Sequence, residues 1–151
     1  MSYSLLKDKV AVILNNSGHT PDKKLLLICE LLKQEVDHYD WVGFYFANKE
    51  TQTLHLKTFA GKATDHTVIP FGKGICGQVA VSNSNFVVPD VKAQDNYIAC
   101  SIDVRSEIVI PLFKNGVNIG QIDIDSNSLD PFTQDDEEFL VWVNKQVADI
   151  L

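Results

Sequence analysis

Cysteine is scarce in this chain. There are three in 151 residues, an odd number, so a framework of structural disulfides is not expected. Basic residues are also few, with 13 Lys and Arg against 20 Asp and Glu and a formal net charge of −7. Binding to nucleic acid or anionic lipid needs a basic footprint, so neither a nucleic acid nor a membrane is an expected partner. Long apolar runs are missing. The stretch from Val10 to Leu14 falls far short of the ~18 residues that a membrane span requires. No small-residue cleavage site follows it, so no signal peptide is read and a cytoplasmic location is expected. The four histidines are scattered, and no pair has metal-ligand spacing. H-x-E with P-C-x-x-C, G-x-S-x-G and C-x-x-C are all absent, which leaves zinc deaminase, serine hydrolase and thioredoxin-type chemistry without support. No bound metal is expected. There is no repeat, low-complexity tract or linker. With 45% hydrophobic and 22% charged residues, 1–151 is expected to be a single globular domain.

Hydrophobic spacing predicts the elements. Leu5, Leu6, Val10, Ile13 and Leu14 form a helical stripe that ends at Asn15-Asn16-Ser17-Gly18. Thr20 is a good N-cap and Pro21 suits the first helical position, so a second helix is predicted from there to about His38. Residues 41–46 and 53–59 are predicted as a hairpin, and 68–70 as a short extended segment. Gly72-Lys73-Gly74 turns the chain into a helix at about Ile75–Ser82, followed by a short strand at 86–88. Residues 90–106 are polar and irregular. Strands at 107–113 and 117–125 flank Asn115-Gly116, the strongest short hairpin signal. Thr133 with Asp136 resembles a capping box, with Asp where Glu or Gln is usual, and opens a helix carrying Phe139, Leu140, Val143, Val147 and Ile150. The predicted fold is α+β: an antiparallel sheet of five or six strands, terminal helices packed together on one face, and an inserted helix and loop over a pocket on the other.

Several residues could carry chemistry. Gly72-Lys73-Gly74-Ile75-Cys76-Gly77 matches G-x-G-x-x-G, but it follows an antiparallel hairpin and lacks a surrounding strand–helix–strand unit. It is read as a turn-to-helix junction rather than a nucleotide loop. Cys76 falls in the first turn of the following helix, where free N–H groups lower a thiol pKa, with Lys73 nearby to help. Local physics therefore offers Cys76 as a nucleophile, with a small buried residue beside Gly77 as the competing reading. Cys100 stands in the irregular segment among Asp95, Asp103 and Glu107, with Arg105 the nearest base, a setting that disfavours a thiolate but supplies proton donors. Cys29 fits the apolar stripe of the second helix and is read as core. Asp123 and Asp125 are two apart on a strand and share a face, opposite Ile122 and Ile124. The hairpin should bring Glu107 close to both. Trp41 and Tyr45, four apart on a strand, could wall a pocket or pack in the core.

The order of elements resembles a GAF domain. Trp41-Val42-Gly43-Phe44-Tyr45, Gly74-Ile75-Cys76-Gly77, Ile98-Ala99-Cys100, Ser106 to Leu112 and Ile122-Asp123-Ile124-Asp125-Ser126 together resemble the free methionine-(R)-sulfoxide reductases. The likeness covers nearly the whole chain. It implies reduction of the R epimer of free methionine sulfoxide, and it moves the catalytic role from Cys76 to Cys100. It further implies that Glu107, Asp123 and Asp125 are active-site acids, that Trp41 and Tyr45 form the aromatic substrate pocket, and that Cys76 is a second family cysteine. No bound cofactor is implied; thioredoxin or another thiol would be the external reductant and partner. GAF domains commonly pair through terminal helices, so a homodimer is also implied. One position departs from the pattern. Many members carry a resolving cysteine where this chain has His66, so resolution falls to Cys76 or to an external thiol. The alternative is a non-catalytic GAF module that binds a small molecule or senses redox state.

Overall fold

The structure, a computed structural model, describes residues 3–98 and 102–151. Helix α1 (Ser4–Leu14) and α2 (Pro21–Glu35) precede strands β1 (Trp41–Asn48), β2 (Thr53–Ala60) and β3 (Val68–Pro70). Helix α3 (Gly74–Ser82), β4 (Phe86–Val88) and a 3-10 turn at Val91–Ala93 follow. The chain closes with β5 (Ser106–Lys114), β6 (Val117–Ser126) and α4 (Gln134–Ala148). One six-stranded sheet has the order β3-β2-β1-β6-β5-β4, with every neighbouring pair antiparallel.

Alternation along the strands divides the molecule into two layers. Val42, Phe44, Ile108, Ile110, Ile122 and Ile124 pack against Leu25, Ile28, Leu32, Phe139, Leu140 and Val143 to make the main core under α1, α2 and α4. Cys29 is fully buried there, as its stripe position predicts, and burial pushes its thiol well up. The opposite face carries Trp41, Tyr45 and Val109 against Ile75, Cys76 and Val79 of α3, with Val91 and Val104 from the inserted segment.

Local chemistry accounts for the boundaries. Thr20 Oγ1 accepts from the Lys23 N–H at 3.2 Å and starts α2 beside Pro21. The helix ends at Glu35, earlier than His38, because Val36 turns extended (φ −111°, ψ 111°). That exit leads His38 and Tyr39 across to α4. Asn115 and Gly116 both take positive φ, 53° and 78°, as a type I′ hairpin turn requires, and Lys114 pairs with Val117. At α4 the capping box forms, with Asp136 Oδ2 accepting from the Thr133 N–H at 2.8 Å.

The other oxygen of Asp136 knots three segments together. It accepts from the Tyr3 hydroxyl and from the Tyr39 hydroxyl at 2.7 Å, and it lies 2.9 Å from His38 Nε2. The Tyr3 ring stacks on Phe139 with centroids 4.4 Å apart, and Lys7 Nζ sits 5.3 Å over the Trp142 ring, so the terminal helices do pack together. Burial alone would raise the Asp136 pKa. The hydrogen bonds from Tyr3, the Thr133 backbone, Tyr39 and His38 together outweigh it and hold the carboxyl below its usual range.

Asp136→Asn is therefore expected to destabilise the fold by about 2–3 kcal/mol at neutral pH, the order of a charge-assisted hydrogen bond. A carboxyl whose folded pKa is depressed contributes its stability above the unfolded value of about 4 and loses it as pH falls through the folded value. Denaturant unfolding of both proteins between neutral and acid pH should show a gap that shrinks only in acid. A gap that does not change with pH would mean that the charge of Asp136 contributes nothing.

Candidate active site

Strand register builds the site. Across β1, β6 and β5, Trp41 pairs with Asp125 and Asp125 with Glu107. In the next row on the same face Gly43 pairs with Asp123 and Asp123 with Val109; in the row after, Tyr45 pairs with Gln121. The convergence of the three acids depends on a register shift. Lys114 pairs with Val117 and Phe113 with Asn118, but Leu112 pairs with Gly120, which leaves Ile119 as an extra residue. Without that bulge Glu107 would face Ile124, on the core side of the sheet.

All three acids are buried, Glu107 with 4% of its surface exposed and Asp123 and Asp125 with 1% each. Among the described residues, no hydrogen-bond partner meets either oxygen of Asp125 or Oδ1 of Asp123. Burial pushes both aspartate pKa values up, and the charge of Asp123 pushes Asp125 further, to well above the ordinary range. A raised pKa means that these carboxyls give up their protons at a higher pH than isolated aspartates do.

Cys76 sits over the acids from the first turn of α3. Its thiol points at Glu107 Oε2 across 3.8 Å, and its carbonyl accepts from Gln121 Nε2 at 3.1 Å. Position on the helix favours a thiolate, but the surroundings reverse that expectation. Burial first, then the charges of Asp123 and Glu107, raise the Cys76 pKa well above normal. Sequence reasoning did not single out Gln121, although its period-two spacing from Asp123 and Asp125 was the available signal.

The glycine-rich segment serves the helix start. Asn96 Oδ1 accepts from the Gly74 N–H at 2.8 Å, and the Gly72 and Gly77 amides bond to the Gly77 and Lys73 carbonyls. Those amides are occupied within the protein, in keeping with a turn-to-helix junction rather than a phosphate cradle.

Trp41 and Tyr45 both line free space, and both also fix its roof. The indole lies flat over Gly43, where an added Cβ would come within 2.4 Å of the ring, and it stacks on Phe59 at 5.7 Å. Trp41 Nε1 donates to the Lys62 carbonyl and the Tyr45 hydroxyl to the His66 carbonyl, each at 2.9 Å, so the β2–β3 loop is tied down at two points. A cavity of about 550 Å³ opens beside Trp41, Gly61, Lys62, Thr64, Asp103 and Asp125. A second cavity, with only about 10 Å³ free, lies among Tyr45, His66, Cys76, Ile98, Glu107 and Asp123. Cys76 Sγ, one Glu107 oxygen and one Asp123 oxygen lie within 4.8 Å of one another there. No spacing in the sequence marked these three as a donor set. Cys100, the predicted catalytic residue, lies outside the described residues. Ile98, the last described residue before it, lines the small cavity.

An antiparallel six-stranded sheet with helices on one face and an enclosed polar site on the other is a GAF domain, and the GAF domain family model matches residues 8–151. A free methionine-R-sulfoxide reductase of Saccharomyces cerevisiae is 40% identical over 123 residues, 80% of this chain and 68% of that one. Among solved structures, the fRMsr of Staphylococcus aureus in reduced form superposes with a TM-score of 0.90 at 35% identity, covering 99% of this chain and 95% of that one. The free methionine-R-sulfoxide reductase of Neisseria meningitidis in complex with its substrate gives 0.88 at 34% identity, covering 95% and 84%. The chain belongs to the GAF domain family and, within it, to the free methionine-R-sulfoxide reductases, a family of oxidoreductases.

The raised carboxyls carry a stability consequence. A carboxyl whose folded pKa is raised makes the protein less stable as pH climbs from the unfolded value toward the folded one. Asp125→Asn, which stays neutral, should therefore be more stable than the parent at neutral pH. The gap should grow by at most about 1.4 kcal/mol per pH unit above pH ~4. Urea unfolding across that range tests it, and a variant less stable than the parent at neutral pH would show that Asp125 is satisfied in the folded state.

Proposed function

We propose that this chain reduces free methionine-(R)-sulfoxide to methionine through its thiols, with no bound cofactor. The observation that carries this reading is the buried set of Glu107, Asp123 and Asp125 beside a thiol, in which three aspartate oxygens meet no hydrogen-bond partner among the described residues and burial raises both aspartate pKa values. Such a set can hold an ammonium group and supply a proton. The substrate complex known for the Neisseria meningitidis relative supports the choice of ligand.

In this mechanism the α-ammonium of the substrate pairs with the acids, and its methyl end lies against Trp41 and Tyr45. Cys100 Sγ attacks the sulfoxide sulfur. The oxygen is protonated and transferred, methionine leaves as the thioether, and Cys100 becomes a sulfenic acid. Cys76 then attacks that sulfur and water departs, leaving a Cys76–Cys100 disulfide. The Cys76 proton has a near acceptor in Glu107 Oε2, 3.8 Å away. Thioredoxin, or a similar dithiol, reopens the bridge by exchange and is itself oxidised. A peptide-bound methionine sulfoxide lacks the α-ammonium that the acids require, which makes the free amino acid the substrate. A thiol cycle of this kind suits the cytoplasm; among the described residues no helix is long and apolar enough to cross a membrane. The reading includes a homodimer paired through the terminal helices, where Leu5 and Val12 of α1 are exposed.

The test is turnover with thioredoxin, its reductase and NADPH, with methionine quantified. The free R epimer should turn over repeatedly, and the free S epimer and a peptide-bound sulfoxide should not. Cys100→Ser should abolish methionine formation. Cys76→Ser should give about one methionine per chain and then stop, recovering with dithiothreitol. Unchanged thioredoxin-driven turnover in Cys76→Ser would remove the disulfide step, and no methionine from the parent with either reductant would sink the reaction itself.

A further inference from the structure

The small cavity has the donor chemistry of a metal site, independent of the reductase reaction. We propose that Cys76, Glu107 and Asp123 bind a thiophilic divalent cation of the Zn²⁺ class, which excludes substrate while it is held.

The geometry suits such an ion. Tetrahedral zinc with Zn–S of ~2.3 Å and Zn–O of ~2.0–2.2 Å sets its sulfur and oxygen ligands about 3.6 Å apart. Cys76 Sγ and Glu107 Oε2 are 3.8 Å apart, and an Asp123 oxygen completes a trio within 4.8 Å. About 10 Å³ is free among these side chains, at most the room of one water, so an ion fits where an amino acid would have to move the walls. A second observation points to a cation. Asp123 Oδ1 and both Asp125 oxygens are buried with no hydrogen-bond partner among the described residues, an arrangement that costs free energy until something positive or protic meets them. One sulfur with two or three carboxylate oxygens favours zinc. Magnesium and calcium take six or more oxygens, for which neither the volume nor the thiol is suited. Binding releases to solvent the Cys76 thiol proton and any proton carried by the coordinating carboxyls, and it occupies carboxylates that a substrate ammonium would use.

Cobalt(II) titration of the reduced full chain, without substrate, reads the site directly. A thiolate-to-cobalt charge-transfer band should saturate at one ion per chain and disappear when Zn²⁺ is added. The band should be lost in Cys76→Ser. Cobalt affinity should fall in Asp123→Asn by more than the ~10–100-fold that loss of an outer-shell partner costs. Cys29→Ser and Cys100→Ser should keep the band. Circular dichroism establishes that each variant is folded; if Cys76→Ser is not, Asp123→Asn and Cys100→Ser decide. No band in the parent, a band kept in folded Cys76→Ser, an unaltered affinity in Asp123→Asn, or a band lost in Cys100→Ser would each overturn the assignment. The readout needs no turnover, so a cobalt band in a protein that forms no methionine would leave the cation site standing and only the proposed reaction in error.

Discussion

Glu107 faces Asp125 across a strand pair, and the rest of the site depends on that facing. Three acids come to lie in one buried patch because β5 and β6 are joined by a tight Asn115-Gly116 turn and then slip by one residue at Ile119. A strand pair without the slip would send Glu107 into the core layer, where a carboxyl has no use and a high desolvation penalty. The helices on the far side make the arrangement tolerable. Their apolar stripes bury the Ile122 and Ile124 face and stabilise a sheet whose other face carries charge.

Two buried carboxyls show how environment alone divides their roles. Asp136 and Asp125 are each 1% exposed. Asp136 receives two tyrosine hydroxyls and a backbone N–H, with His38 alongside, and its pKa is held low. Asp125 receives no hydrogen bond from the described residues and stands beside Asp123, and its pKa is driven up. The first ties the termini to the domain. The second keeps its proton to a higher pH and has no hydrogen-bond partner among the described residues, which suits it to donating a proton or meeting a cation. Cys76 follows the same logic: the helix-start position that would activate a thiol is overridden by burial and by acids within reach.

The aromatic pair links binding to architecture. Trp41 and Tyr45 wall the free space with their rings and hold the β2–β3 loop with their polar tips. The backbone that carries His66 is thereby kept at the edge of the small cavity.

Much of this was legible in the sequence. Apolar periodicity placed the four helices and the strands to within a few residues, since amphipathic spacing reflects directly which face is buried. Thr20-Pro21, Asn115-Gly116 and Thr133 with Asp136 marked their turns and caps because those signals are local. Period two assigned Asp123 and Asp125 to the face opposite Ile122 and Ile124, and the hairpin brought Glu107 near them. The end of α2 was missed because Val36 turns to deliver Tyr39 to Asp136, a partner 97 residues away. Helix-start position offered Cys76 as a nucleophile beside a buried-residue reading, and the raised pKa of its thiol was not legible there because pKa follows the total surroundings, and the acids that raise it come from other strands. The bulge at Ile119, the second fates of Trp41 and Tyr45 as loop anchors, and the Cys76–Glu107–Asp123 donor set arise from pairing between distant segments. A sequence by itself determines which residues prefer burial and where the chain turns. Only the packed sheet decides which polar groups are shut in together, because that depends on register, and one inserted residue changes every neighbour.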